Sequence, residues 1–222
     1  GRNFAEEAMR RMLGVKREVE NRALDLDYVG VKVPMFSFSR LVGADPMLGV
    51  EMASTGEVGC LGRDVHEALL HGLLATGFRV PRRGVLLSLG PVADKYWFAD
   101  EARVIATDLG LPIYATAGTA EALRTLGIEC VLVEKTEGPR NSALALIEAG
   151  EVDLVINVPR EFDELGRPDG YLIRRCAVDH GVPLFTDLKL ARVVIEALRL
   201  KEPQDLRVAA WNDFLLEDPT VE

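Results

Sequence analysis

Histidine and cysteine are scarce, three of each in 222 residues. Cys60, Cys130 and Cys176 stand far apart, in odd number and with no C-x-x-C pair, which argues against a zinc site and against a disulfide framework. Reduced thiols in packed positions are expected instead, as in a cytoplasmic protein. His66 and His71 share a helix-like run at a five-residue spacing, which puts them on different faces, so no metal pair is expected. His180 falls near a helix end, where its charge suits the dipole. No apolar run approaches the ~20 residues of a membrane span, and the first residues lack the apolar core of a secretion signal. Basic residues are outnumbered, 26 to 35, for a net charge of −9; such a chain repels nucleic acid, and any anion site needs its own placed donors. There is no internal repeat and no low-complexity tract. The opening "GRNFAEEAMRRMLG" has no initiator methionine, as expected of a piece of a longer protein.

What is present divides into two zones. With 48% hydrophobic and 27% charged residues the chain can bury a sizeable core. The first zone begins with an amphipathic helix, Phe4, Ala8, Met9 and Met12 on one face. A charged stretch follows, in which Glu20, Asn21 and Arg22 read as a solvated helix face. "VGVKVPMFSFSRL" (29–41) has the alternation of a strand. "VGADPMLGVEMASTGEVGCLG" (42–62) reads as a turn-rich loop. "DVHEALLHGLLATG" (64–77) reads as a helix with Asp64 as N-cap and Glu67 as its capping-box partner. "FRVPRRG" follows as a linker.

From Gly84 to Leu200 the pattern is regular. Strand candidates at 84–90, 112–116, 129–134, 153–158 and 182–187 alternate with helix candidates at 96–109, 119–127, 141–149, 169–180 and 188–200. The strands are nearly continuous apolar runs, as when both faces are covered. The spacing predicts an α/β fold, a five-stranded parallel sheet between two helix layers in a three-layer α/β/α arrangement. The last ~20 residues read as a peripheral tail.

In such sheets ligands bind beyond the carboxyl ends of the strands. The first strand is followed by Ser88, Gly90 and Lys95, the second by Thr116, Gly118 and Thr119. Lys135, Thr136, Arg140 and Asn141 follow the third, and Asn157 and Arg160 the fourth. Cations, hydroxyls and helix N-termini thus converge on one edge, which suits a phosphate. Each residue also has an ordinary reading: Thr119 as a helix N-cap, the lysines as solvated charges, Asn157 as a turn residue.

The stretch "KVPMFSFSRLVGADPMLGVEMASTGEVGCLG" (32–62) closely resembles the end of the second ATP-grasp half of carbamoyl phosphate synthetase large chains. "GRNFAEEAMRRMLG" resembles the helix just upstream in that family. From about Gly84 the chain resembles the family's C-terminal regulatory domain, which has the methylglyoxal-synthase-like fold. The resemblance implies residues 1–76 as the trailing part of ATP-grasp, 77–83 as linker, 84–200 as the allosteric domain and 201–222 as tail.

In nucleotide-regulated members the effector phosphate is held by residues that match Lys95, Thr116, Thr119, Lys135 and Asn157, with Gly118 between the threonines. Ser88 and Arg140 are expected as additional anion contacts. The implied effector is a pyrimidine nucleotide, UMP or UTP, with IMP as a further candidate. The branch activated by N-acetylglutamate has a tryptophan near the place of Lys135. One departure is Pro159, where some nucleotide-binding members have threonine.

The parent would be an ATP-dependent ligase using Mg2+ or Mn2+, serving pyrimidine or arginine biosynthesis. It would work with a glutaminase subunit or domain and the rest of the large chain, as a homo-oligomer. No cofactor and no catalytic residue is expected in this piece, because the magnesium-binding Glu-x-Asn pair of the family lies upstream of it. Apolar surface in residues 1–76 is then expected to rearrange or be covered by another subunit. Two alternatives are a ligand-free assembly module and a methylglyoxal-synthase-type lyase. The lyase places a carboxylate base where this chain has Arg140, which cannot accept a proton.

Overall fold

Five short aliphatic runs set the centre of the fold. A computed structural model describes residues 4–15, 27–47, 54–136, 141–159 and 170–216. Helix α1 (Phe4–Met12) comes first, then an antiparallel pair, β1 (Val29–Met35) and β2 (Gly56–Gly62), and helix α2 (Val65–Ala75). The regular part follows as β3 (Val85–Leu89), α3 (Val92–Trp97), α4 (Ala99–Thr107), β4 (Ile113–Thr116) and α5 (Ala117–Thr125). It continues with β5 (Val131–Val133), α6 (Ala143–Glu148), β6 (Leu154–Val158), α7 (Tyr171–Asp179), β7 (Leu184–Phe185) and α8 (Leu188–Leu200). A short α9 (Trp211–Leu216) ends the described chain.

Strands β3 to β7 form one parallel sheet in the order β5-β4-β3-β6-β7. Alternate side chains separate two layers. Val85, Leu87, Ile113, Ala115, Leu154 and Ile156 share one apolar core with α4, α5 and α8. Leu86, Val133 and Val155 share a second with α6 and α7. The central strand β3 is buried throughout, whereas edge strand β5 leaves Val131 and Leu132 exposed.

The N-terminal part is built onto this body. Leu69, Leu70 and Leu73 of α2 and Val33 of β1 belong to the same core cluster as α8 and the sheet. The segment 77–83 is pinned: Phe78 packs on Phe185, and the Asp153 carboxylate accepts from the N–H groups of Arg82, Arg83 and Gly84. In the tail, Lys201 reaches Asp64 at 2.6 Å, and Phe214 meets Tyr28 edge-on. Among the described residues no helix is long and apolar enough to cross a membrane.

Three local expectations need correction. The turn-rich run 42–62 contains strand β2, whose spaced glycines masked its alternation. Gly62 is needed there because a Cβ would run into the Ala68 backbone of α2. The helix expected at 96–109 is two helices meeting at Phe98, which is fully buried and bends the chain between α3 and α4. The Asp64 side chain does cap α2 by accepting from Glu67 N, but Glu67 answers on the N–H of Arg63 and not on that of Asp64.

Two outcomes follow. Gly62→Ala should cost about 1–3 kcal/mol by overpacking, while Gly59→Ala, open on all sides, should stay within about 0.5 kcal/mol; urea unfolding of both variants checks this. The Lys201 hydrogen bond, and then the Glu67 N–H, hold the Asp64 carboxyl below its ordinary value. A depressed carboxyl stabilises the fold fully above its unfolded-state pKa, and that share is lost as pH falls through the folded value. The acid limb of the stability–pH curve should therefore be shallower in Asp64→Asn.

Candidate functional site

Beyond the carboxyl ends of β3, β4 and β5 lies an open cleft of about 450 Å3. It is lined by Ser88, Gly90, Lys95, Thr116, Gly118, Thr119, Lys135 and Thr136, together with Leu89, Ala117, Val133 and Glu134. Lys95 and Lys135, 40 positions apart in the sequence, thus face one space.

Lys95 is held by α3. Because that helix starts at Val92, earlier than the sequence pattern suggests, Lys95 lies within a helical turn and not in a loop. It is only 9% exposed, and among the described residues no carboxylate pairs with it. Its ammonium lies over Gly118, where a Cβ would come within 2.9 Å of Nζ. Its stem is packed while its ammonium faces the cleft, where an entering anion would meet a cation not already paired with a carboxylate among the described residues.

Gly118 stands in the first turn of α5. Thr116 occupies the N-cap position of that helix, but its side chain makes no cap bond. Its hydroxyl donates to Ser88 Oγ at 3.3 Å. The positive end of the helix is therefore left without a side-chain cap beside Lys95. Thr119 is 1% exposed, and its hydroxyl both accepts from Leu89 N at 3.0 Å and donates to Leu89 O at 3.3 Å. It is not the N-cap, and its hydroxyl is engaged in stapling α5 to β3.

Asn157 takes a different place from the expected one. It lies beside Ser88 in the β3–β6 register but does not line the cleft. Its amide donates to Ser88 O at 3.3 Å and accepts from Arg174 Nη1 at 2.6 Å. A Cβ at Gly170, where φ is 79°, would crowd that amide at 2.7 Å. Arg140 and Arg160 lie outside the described residues. Asn141 donates to Leu132 O at the edge of β5. Glu134, which the sequence did not flag, brings a carboxylate to the rim beside Lys135.

Arg174 and Arg175 are the residues that sequence reasoning missed. Arg174 is fully buried and grips Asp45 through Nε at 2.8 Å and Nη2 at 2.6 Å. Arg175 donates to the carbonyls of Phe38, Leu41 and Ala44 and to Asp179. The available signal was position: Arg174 lies three residues before Ala177 and next to Ile173, on the buried side of the helix. Cys176, half-buried nearby, has its thiol pushed up to about 11, chiefly by burial.

Gly118→Ala should leave the fold intact or raise its stability by up to about 1 kcal/mol, since alanine favours helix. It should also displace the Lys95 ammonium and weaken binding of inorganic phosphate. Thermal unfolding together with phosphate titration by calorimetry reads both effects.

Residues 104–186 match the family model for the MGS-like domain. Over 210 residues, 89% of this chain, the sequence is 41% identical to the multifunctional protein pyrABCN of Emericella nidulans, of which it covers 9%. Over 183 residues, 78% of this chain, it is 44% identical to the multifunctional protein URA2 of Saccharomyces cerevisiae, covering 8% of that protein. Over 218 residues, 93% of this chain, it is 37% identical to the mitochondrial carbamoyl-phosphate synthase [ammonia] of Aquarana catesbeiana, covering 14% of it. The chain thus spans about a tenth of the length of these relatives.

Proposed function

For a chain that carries an MGS-like domain and is 37–44% identical over most of its length to carbamoyl-phosphate synthase and related multifunctional proteins, we propose an effector-binding role within such a synthase. The cleft takes the phosphate of a nucleotide, UMP or UTP foremost and IMP as a further candidate. The observation that carries this reading is Lys95: a largely buried side chain with no acid partner among the described residues, its ammonium at the cleft over a bare glycine and beside a helix N-terminus without a side-chain cap. Lys135 on the facing rim adds a second cation. It stands near where the N-acetylglutamate-activated branch of the resembled family has tryptophan, which favours a phosphate ligand.

Effector binding would act on ATP- and magnesium-dependent carbamoyl phosphate synthesis elsewhere in the longer protein, alongside its glutaminase partner. A ligand does this only by binding two states of the whole unequally, typically by ~1–3 kcal/mol. The exposed Val131 and Leu132 of edge strand β5 support a second reading, association of copies along that edge.

Calorimetric titration of UMP, UTP, IMP and N-acetylglutamate separates these readings. Uridine nucleotides should bind, and Lys95→Met or Lys135→Ala should weaken them about 10- to 150-fold, the worth of one charged hydrogen bond. Lys95→Met should not lower the unfolding temperature, because it keeps the packed apolar stem and breaks no ion pair among the described residues. Binding of N-acetylglutamate alone would overturn the nucleotide reading. Stable oligomers with no phosphate ligand bound would leave assembly as the role.

A further inference from the structure

A line of hydrogen bonds leaves the cleft and ends in the N-terminal segment. Thr116, in the cleft wall, donates to Ser88 Oγ, and Ser88 O accepts from the Asn157 amide. Asn157 Oδ1 accepts from Arg174, and Arg174 holds both oxygens of Asp45, 129 positions earlier in the chain. Each link has one direction. A guanidinium only donates, so Arg174 fixes the carbonyl end of Asn157 toward itself and the NH2 end toward Ser88. Gly170 closes over that amide, leaving it little room to turn.

The far end of the line is a loop with several anchors. Residues 38–45 are held by Arg175 on three carbonyls, by Tyr171 on Gly43 O at 2.8 Å and by Arg174 on Asp45. If Asp45 leaves, a guanidinium with no exposure loses a carboxylate that takes two of its hydrogen bonds. The loop is therefore docked on α7 or released as a unit.

We propose that Arg174 is a positioning residue for the anion cleft, acting through Asn157 and Ser88, so that docking of the 38–45 loop on α7 and occupancy of the cleft strengthen each other. The inference rests on the anion-site reading above and names its regulation. Docking holds Ser88 still, and Ser88 sets where the Thr116 hydroxyl points, so the docked state presents the cleft pre-formed. By linkage the anion must favour docking by the same factor.

The test uses this chain with inorganic phosphate and UMP as probes. Asp45→Asn, which touches no part of the cleft, should weaken both by about fivefold or more, the lower end of usual coupling. Phosphate should also slow amide exchange at Ala44 and Asp45 in the unsubstituted protein, a change that a merely structural bridge would not give. Should Asp45→Asn fail to fold, Tyr171→Phe, which frees Gly43 O without stranding a charge, should weaken binding in the same direction by less. Unchanged affinity in a folded Asp45→Asn, or in Tyr171→Phe where that stands in for it, overturns the proposal; so does phosphate binding that leaves Ala44 and Asp45 exchange untouched. If the unsubstituted chain binds neither probe, the effector reading fails on its own. The positioning role is then read without ligand: Asp45→Asn, or Tyr171→Phe in its place, should speed exchange at Leu89 and Thr116–Thr119, and no change there overturns it.

Discussion

The fold depends on what surrounds one guanidinium. Arg174 has no contact with solvent, and charge in that position is tolerated only when every donor is met. Asp45 and Asn157 are among its acceptors, and to serve it they must come from the N-terminal loop and from the end of β6. Removing one partner of such a pair costs about 3–5 kcal/mol, so the arrangement behaves as a condition on the native state. It explains why a loop with several exposed apolar residues, Leu41 and Val42 among them, stays against α7.

The cleft shows the opposite economy. The Lys95 stem is packed, and among the described residues its ammonium has no acid partner at the cleft. On the effector reading proposed above, an anion is what completes that arrangement. The short α3, ended by the buried Phe98, holds the lysine in that place. The staple from Thr119 to both backbone groups of Leu89 keeps the start of α5 in register with the end of β3. Scaffold and site are thus built from adjacent residues with separate tasks.

Much of this was legible in the sequence because it is periodic. The apolar runs placed β3, β4 and β6 to within one residue at each end, but β5 and β7 cover only the middle of the runs expected at 129–134 and 182–187; the helix over 188–200 has the expected limits. Edges and joints were less legible. Strand β2 was hidden by glycines that carry no pattern, and the break at Phe98 has no proline or glycine to mark it. At the site, chain order after each strand was enough to bring Lys95, Thr116, Gly118 and Lys135 to one cleft. It could not show that the hydroxyl of Thr119 is spent on Leu89 or that Asn157 faces Arg174, because both depend on contacts between distant segments. Arg174 carried only the weak signal of its place beside Ile173 and three residues before Ala177, which points to the buried side but names no partner.

Gly118 offers the cleft no side chain at all: its contribution is bare main chain beneath the Lys95 ammonium. An anchor made of peptide groups and one lysine is indifferent to drift in most neighbouring side chains. On the effector reading, discrimination between one anionic molecule and another would then fall to the rim, at Lys135, Glu134 and Thr136. A single scaffold of this kind can change its chemical vocabulary without rebuilding its grip.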